Sequence, residues 1–223
     1  NRPEVLNAYT ARTSTEFAIA MDDASMDESV GVVVITGTGD KAFCTGGDVK
    51  WEATGEGQNL PGLGWQIKGG VPLPNDFVRR CRKPVIAAVK GYAIGGGNHL
   101  AYMCDFTIAA ENAIFGQNGP RIGSPAGGLQ VSYLTRVVGA KKAREIWMLA
   151  RQYSAQEALQ MGLVNVVVSL EEFEEEVDKW CEELLTKSAT CLAILKASFD
   201  YDVKYLDGFA SEFQNMIAPH FYG

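Results

Sequence analysis

Residues 91–98, Gly91-Tyr-Ala-Ile-Gly-Gly-Gly-Asn98, decide the fold of this chain. An apolar strand, Pro84-Val-Ile-Ala-Ala-Val-Lys-Gly91, runs into them, and a helix-forming stretch, His99-Leu-Ala-Tyr-Met-Cys104, follows. Consecutive glycines are costly, because each gives up more backbone entropy on folding than any other residue. A chain carries that cost where backbone must approach something closely or adopt positive φ. At a strand-to-helix handover, such a turn aims backbone N–H groups and a helix N-terminus at one point, which suits negative charge. Taken alone, the segment reads equally well as a tight corner.

Working outward, Val30-Gly-Val-Val-Val-Ile-Thr-Gly37 is a second β-branched strand, ended by a turn at Gly37-Thr-Gly-Asp40. Lys41-Ala-Phe-Cys-Thr-Gly-Gly-Asp48 then brings a second glycine pair, about 50 residues before the first. Two glycine-rich strand ends can each give one N–H to a shared oxygen, an oxyanion hole built from backbone. Spacing alone does not show that the two meet.

With 223 residues and 47% hydrophobic content, the chain forms one domain with a full core. A net charge of −7 argues against a nucleic-acid partner. The basic runs Arg79–Lys83 and Lys141–Arg144 read as solvated helix faces. No apolar run reaches the ~20 residues that span a bilayer, and no signal peptide is visible. The five cysteines (Cys44, Cys81, Cys104, Cys181, Cys191) are odd in number and lack a CxxC pair. Neither a disulfide scaffold nor a zinc site fits that pattern, and reduced thiols in a cytoplasmic protein account for it. Two histidines exclude a His-rich metal centre. Asn1-Arg-Pro3 is an abrupt start that points to residues upstream.

Helices are predicted over Ser14–Met26, Asp76–Cys81, Gly95–Cys104, Gly127–Gly139, Lys141–Ala150 and Glu171–Lys187. A further helix opens on the capping box Ser154-Ala-Gln-Glu157 and stops at Gly162. Strands are predicted at Val30–Thr36, Pro84–Val89, Phe106–Ala110 and Val164–Val168. In the helix at 14–26, Phe17, Ile19, Ala20 and Met21 are expected on the apolar side. The stretch from Val49 to Pro74, rich in glycine and holding Trp51 and Trp65, reads as a lid over a ligand. Alternating strands and helices argue for an α/β fold, and the helical last third for a layer that packs on another subunit.

Five segments carry a specific resemblance: Asn1-Arg-Pro-Glu…Asn7-Ala8, Ala42-Phe-Cys-Thr-Gly-Gly-Asp48, Gly91-Tyr-Ala-Ile-Gly-Gly-Gly97, Phe115-Gly-Gln and Ala158-Leu-Gln-Met-Gly-Leu-Val164. Together they resemble the crotonase (enoyl-CoA hydratase/isomerase) superfamily. The resemblance implies a spiral of ββα units with a helical C-terminal trimerisation region, trimers or dimers of trimers, and a coenzyme A thioester as substrate. It divides the chain into a core with the CoA site over 1–165 and a helical region of the same domain over 166–223. The N–H groups of Gly47 and Gly96 match the family's oxyanion hole, and Val5, Leu6 and Lys50 match CoA contacts.

Hydratases of this family carry a glutamate at the positions of His99 and Gly119. Without those carboxylates the resemblance implies a lyase rather than a standard enoyl-CoA hydratase. Within the superfamily, Phe115-Gly-Gln-Asn-Gly-Pro-Arg-Ile-Gly-Ser124 and Val138–Tyr153 resemble 1,4-dihydroxy-2-naphthoyl-CoA synthase, a carbon–carbon ring-closing enzyme of menaquinone biosynthesis, and its ring-cleaving relative 2-ketocyclohexanecarboxyl-CoA hydrolase. A non-catalytic CoA-binding homologue is a third reading. In synthases with glycine at the Gly119 position, bicarbonate serves as base, and its ligands match Gln117, Gly119 and Trp147. Such donors suit a small anion, although Gln117 and Trp147 also fit as core. Tyr222 matches the synthase's C-terminal catalytic tyrosine, whereas Ala126 replaces its aspartate. His99, in the first turn after Gly97, is a candidate to take over lost proton handling, its pKa lowered by the helix N-terminus. Asp48 is read as a turn cap.

Overall fold

The computed structural model describes residues 1–53, 74–123, 126 and 128–201. Its strands are β1 (Val33–Thr36), β2 (Ala42–Cys44), β3 (Val85–Val89), β4 (Tyr92–Ile94), β5 (Phe106–Ala110), β6 (Ile114–Gly116), β7 (Gln152–Ser154) and β8 (Val166–Val168). Its helices are α1 (Ala11–Met26), α2 (Val49–Ala53), α3 (Pro74–Arg80), α4 (Gly96–Met103), α5 (Gly119–Ile122), α6 (Leu129–Val138), α7 (Ala140–Leu149), α8 (Ala155–Gln160), α9 (Phe173–Leu185) and α10 (Ala189–Phe199).

The strands fall into two sheets. The first is parallel throughout, in the order β1-β3-β5-β8. In the second, ordered β2-β4-β6-β7, the first three strands are parallel and β7 is antiparallel. A unit of two strands and a helix therefore recurs as β1-β2-α2, β3-β4-α4 and β5-β6-α5, its first strand in one sheet and its second in the other. This is the expected α/β spiral of ββα units.

Every residue of β3 is buried, as in a parallel strand covered on both faces. Its side chains alternate between two cores. Val85, Ala87 and Val89 face the main core with Phe43, Leu100, Tyr102 and Phe115. Ile86 and Ala88 face a smaller one, closed by Phe173 and Val177 of α9. Helix α4 lies against both sheets, which places its first turn at the ends of the second.

Two departures from the predicted elements have clear causes. Helix α1 begins at Ala11 because Thr10 caps it, its hydroxyl accepting from the Thr13 N–H in a reciprocal capping box. Its buried positions are Ala11, Ser14, Ala18 and Met21, a helical stripe, whereas Ile19 and Ala20, expected on the apolar side, are exposed. Strands β2, β4, β6 and β7 were not predicted: each has three residues and, unlike the equally short β8 with its Val166-Val-Val168, no β-branched run to mark it. All five cysteines are free thiols. No helix among the described residues is long and apolar enough to cross a membrane.

Candidate active site

Strands β2, β4 and β6 are parallel neighbours, so the segments after them emerge at one edge of the second sheet: Gly46-Gly47, Gly95-Gly96 and Gln117. Carboxyl ends of parallel strands are where α/β sheets hold ligands. The bulge between Ala42 and Cys44 adjusts the first of these ends.

The glycines bring the first two segments into contact. Gly95, with φ +57° and ψ −121°, turns the chain from β4 into α4 in a conformation that side chains rarely adopt. Gly46 has φ +88°, and a Cβ there would lie 2.8 Å from the Gly96 nitrogen. A Cβ on Gly96 would meet the Tyr9 hydroxyl at 2.2 Å, and one on Gly97 the Cys44 carbonyl oxygen at 1.9 Å. Backbone proximity or positive φ thus explains Gly46, Gly95 and Gly97, and the Tyr9 side chain explains Gly96.

Tyr9 holds the first loop in place. Its N–H donates to the Gly46 carbonyl at 2.9 Å, and its carbonyl accepts from the Asp48 N–H at 2.9 Å, a parallel bridge centred on Gly47. The Gly47 N–H stands outside that ladder. The Gly96 N–H, in the first turn of α4, has no intrahelical acceptor. Two backbone donors that neither the Tyr9 bridge nor α4 uses thus stand at adjoining strand ends.

Around this pair, Asp48 is buried and caps α2, its Oδ1 accepting from the N–H groups of Lys50 (3.1 Å) and Trp51 (3.2 Å). Its Oδ2 pairs with Arg2 Nη1 at 2.8 Å. The Trp51 bond leads the causes that hold the Asp48 carboxyl below its usual range. The reading of Asp48 as a cap is what the structure shows. Val5 lies in a single 3-10 turn at Pro3–Val5, and the Thr45 hydroxyl donates to the Leu6 carbonyl at 3.3 Å, bringing this segment to the glycine loop. Lys50 is exposed in α2.

The third strand end carries a second cluster. His99 is 8% exposed, Gln117 2% and Trp147, from α7, 9%. His99 Nε2 lies 3.1 Å from Gln117 Oε1, and its ring sits 5.1 Å from that of Trp147 and 5.8 Å from that of Tyr102. Burial pushes the His99 pKa down from 6.5 to about 4, only partly opposed by the Gln117 bond. The imidazole is therefore neutral, and burial is the leading cause. Gln117 Nε2 and Trp147 Nε1 are both buried without a hydrogen-bond partner among the described residues. Gly119 begins α5, which packs on α7, the helix that carries Trp147. Ala126 packs at the border of the main core. Tyr222 and the proposed lid, beyond its first residues in α2, lie outside the described residues.

The sequence reading missed Tyr9, whose role depends on the N-terminal segment folding back onto Gly47, 38 residues later. Only the apolar Ala8-Tyr9 pair beside Asn7, which itself donates to the Thr38 and Ala42 carbonyls, hinted at it.

Residues 1–218 match the model of the enoyl-CoA hydratase/isomerase family. Among solved structures, the chain is similar to an enoyl-CoA hydratase subunit I from Geobacillus kaustophilus, at 33% identity and TM-score 0.80 over 92% of this chain and 77% of that one. It also resembles an enoyl-CoA hydratase from Bacillus anthracis, at 29% identity and TM-score 0.80 over 92% and 78% of the two chains. A third similar structure is an enoyl-CoA hydratase/carnitine racemase from Magnetospirillum magneticum, with 30% identity and TM-score 0.81 over 89% and 74%. These matches overturn the expectation of a lyase that is not a standard enoyl-CoA hydratase. That expectation weighed the two side chains at His99 and Gly119 above the backbone frame, and the frame is what the hydratases share.

Proposed function

The chain belongs to the enoyl-CoA hydratase/isomerase family, and from that premise we propose that it acts on an acyl-CoA thioester whose oxygen is held by the N–H groups of Gly47 and Gly96. The observation that carries this reading is the contact of the two glycine loops, a Cβ on Gly46 lying 2.8 Å from the Gly96 nitrogen. Adding water across an enoyl double bond, or shifting that bond, builds negative charge on the thioester oxygen. Preorganised N–H donors stabilise that charge where it develops and need no reorganisation at the moment of reaction. Val5, Leu6 and Lys50, grouped beside the first loop, are proposed to meet the CoA portion.

Proton handling falls to the second cluster. The orphaned buried donors of Gln117 and Trp147 fit a small oxyanion, and bicarbonate held there and by the Gly119 N–H would supply a base. The chain's own part is to bind that anion in a dry place and to keep His99 uncharged beside it. Tyr222 is proposed as a further proton donor. We propose a homo-oligomer as the working form, supported by the exposed Ile194, Leu195 and Phe199 of α10.

Turnover of a panel of enoyl-, cyclic and aryl acyl-CoA thioesters tests the reading, with and without bicarbonate. Loss of conjugated enoyl-thioester absorbance is the expected result. Thioester binding without consumption of any panel member would show a CoA-binding protein instead.

A further inference from the structure

We infer that His99 is a positioning residue: as the Nε2–H tautomer it donates to Gln117 Oε1 and turns the Gln117 amide N–H groups toward a donor pocket completed by the Trp147 indole. The inference rests on the reading of Gln117 and Trp147 as an anion site. With the Gln117 carbonyl oxygen, an acceptor only, facing it at 3.1 Å, His99 Nε2 is assigned the proton. The amide nitrogen then faces away from the imidazole, and it has no partner among the described residues. The Trp147 nitrogen, on a ring 5.1 Å from that of His99, is a donor only and is likewise unpartnered.

The Tyr102 hydroxyl, the other aromatic group against His99, donates to the Gln130 carbonyl. Buried donors without acceptors are costly, and an oxyanion relieves two of them together. Burial of His99 keeps the imidazole uncharged, so the pocket's attraction for an anion comes from oriented dipoles rather than a fixed cation. A flipped Gln117 amide would instead aim an oxygen into the pocket and repel the same ligand. His99 therefore sets the sign of the pocket.

Long-range 1H–15N spectra of the full chain read the tautomer, with His220→Gln used to assign His99. Protonation at Nε2 with a bare Nδ1 is expected, and a proton on Nδ1 alone overturns the inference. Bicarbonate added at constant pH is expected to shift the Trp147 indole and Gln117 side-chain amide signals. His99→Phe should weaken that response by about tenfold or more, and His99→Gln, which keeps an N–H donor, should restore most of it. A response unchanged in His99→Phe overturns the role of His99 alone. No response in the wild-type chain overturns the anion site beneath it. Neither measurement uses a thioester, so absence of acyl-CoA turnover bears on the backbone hole and not on this pocket.

Discussion

At the scale of the residue, the site is made of atoms that side chains would obstruct. Gly97→Ala places a methyl 1.9 Å from the Cys44 carbonyl oxygen, where both partners are backbone and neither can yield. A loss of stability of about 1–3 kcal/mol is expected, as for an overpacked core, measured by urea unfolding. Gly47→Pro is a cleaner probe, because it removes one N–H that the Tyr9 bridge does not use. With thioester substrate, kcat should fall by ~10²–10³-fold while the unfolding midpoint holds; unchanged kcat would take Gly47 out of the hole. His99 gives a pH signature. Its pKa is about 4 when folded against 6.5 for the free side chain, so between those values the unfolded chain binds more protons. Its stability contribution is complete above pH 6.5 and is lost as pH falls toward 4, on the order of 3 kcal/mol in all. The rings of Tyr102 and Trp147 and the Gln117 amide that surround it carry no charge. Urea midpoints across that window should slope less in His99→Phe than in the wild-type chain.

Elements differ in how much of themselves the sequence displays. Strands β1, β3 and β5 are runs of four or five apolar or β-branched residues and were all predicted. The second sheet, whose strands β2, β4, β6 and β7 have three residues each, could not be read from periodicity and was missed. That missed sheet positions both glycine loops and Gln117, so the candidate residues were legible while the surface that assembles them was not. Helix α10 shows the same limit. Its Lys196 is buried, with Nζ 2.6 Å from Asp105 Oδ2 and 3.0 Å from the Lys83 carbonyl, while Asp105 Oδ2 also accepts from the Val85 N–H. These contacts fasten α10 to the starts of β3 and β5. Lys196→Met should cost about 1–3 kcal/mol, the range for a hydrogen bond to a charged group, without changing kcat. Urea unfolding beside a steady-state assay checks both halves of that expectation.

For the whole molecule, the apolar residues left outside are as informative as the core. Ile194 is 61% exposed, Leu195 52% and Phe199 78%, all on α10. A second copy of the chain covering that face gives a concentration-dependent assembly, and Phe199→Asp should shift sedimentation toward the monomer. A wild-type chain that sediments as a monomer at all concentrations would remove the oligomer from the proposal. By itself the sequence determined the α/β class, the family resemblance, the two glycine segments and the residue types beside them, because these follow from local runs of side chains and backbone freedom. Only the tertiary structure decided that Gly46 lies against Gly96, that Tyr9 props the loop, and that His99 is neutral with its edge on Gln117. Those outcomes depend on parallel pairing and burial between residues dozens of positions apart, and no local pattern encodes which strand ends become neighbours.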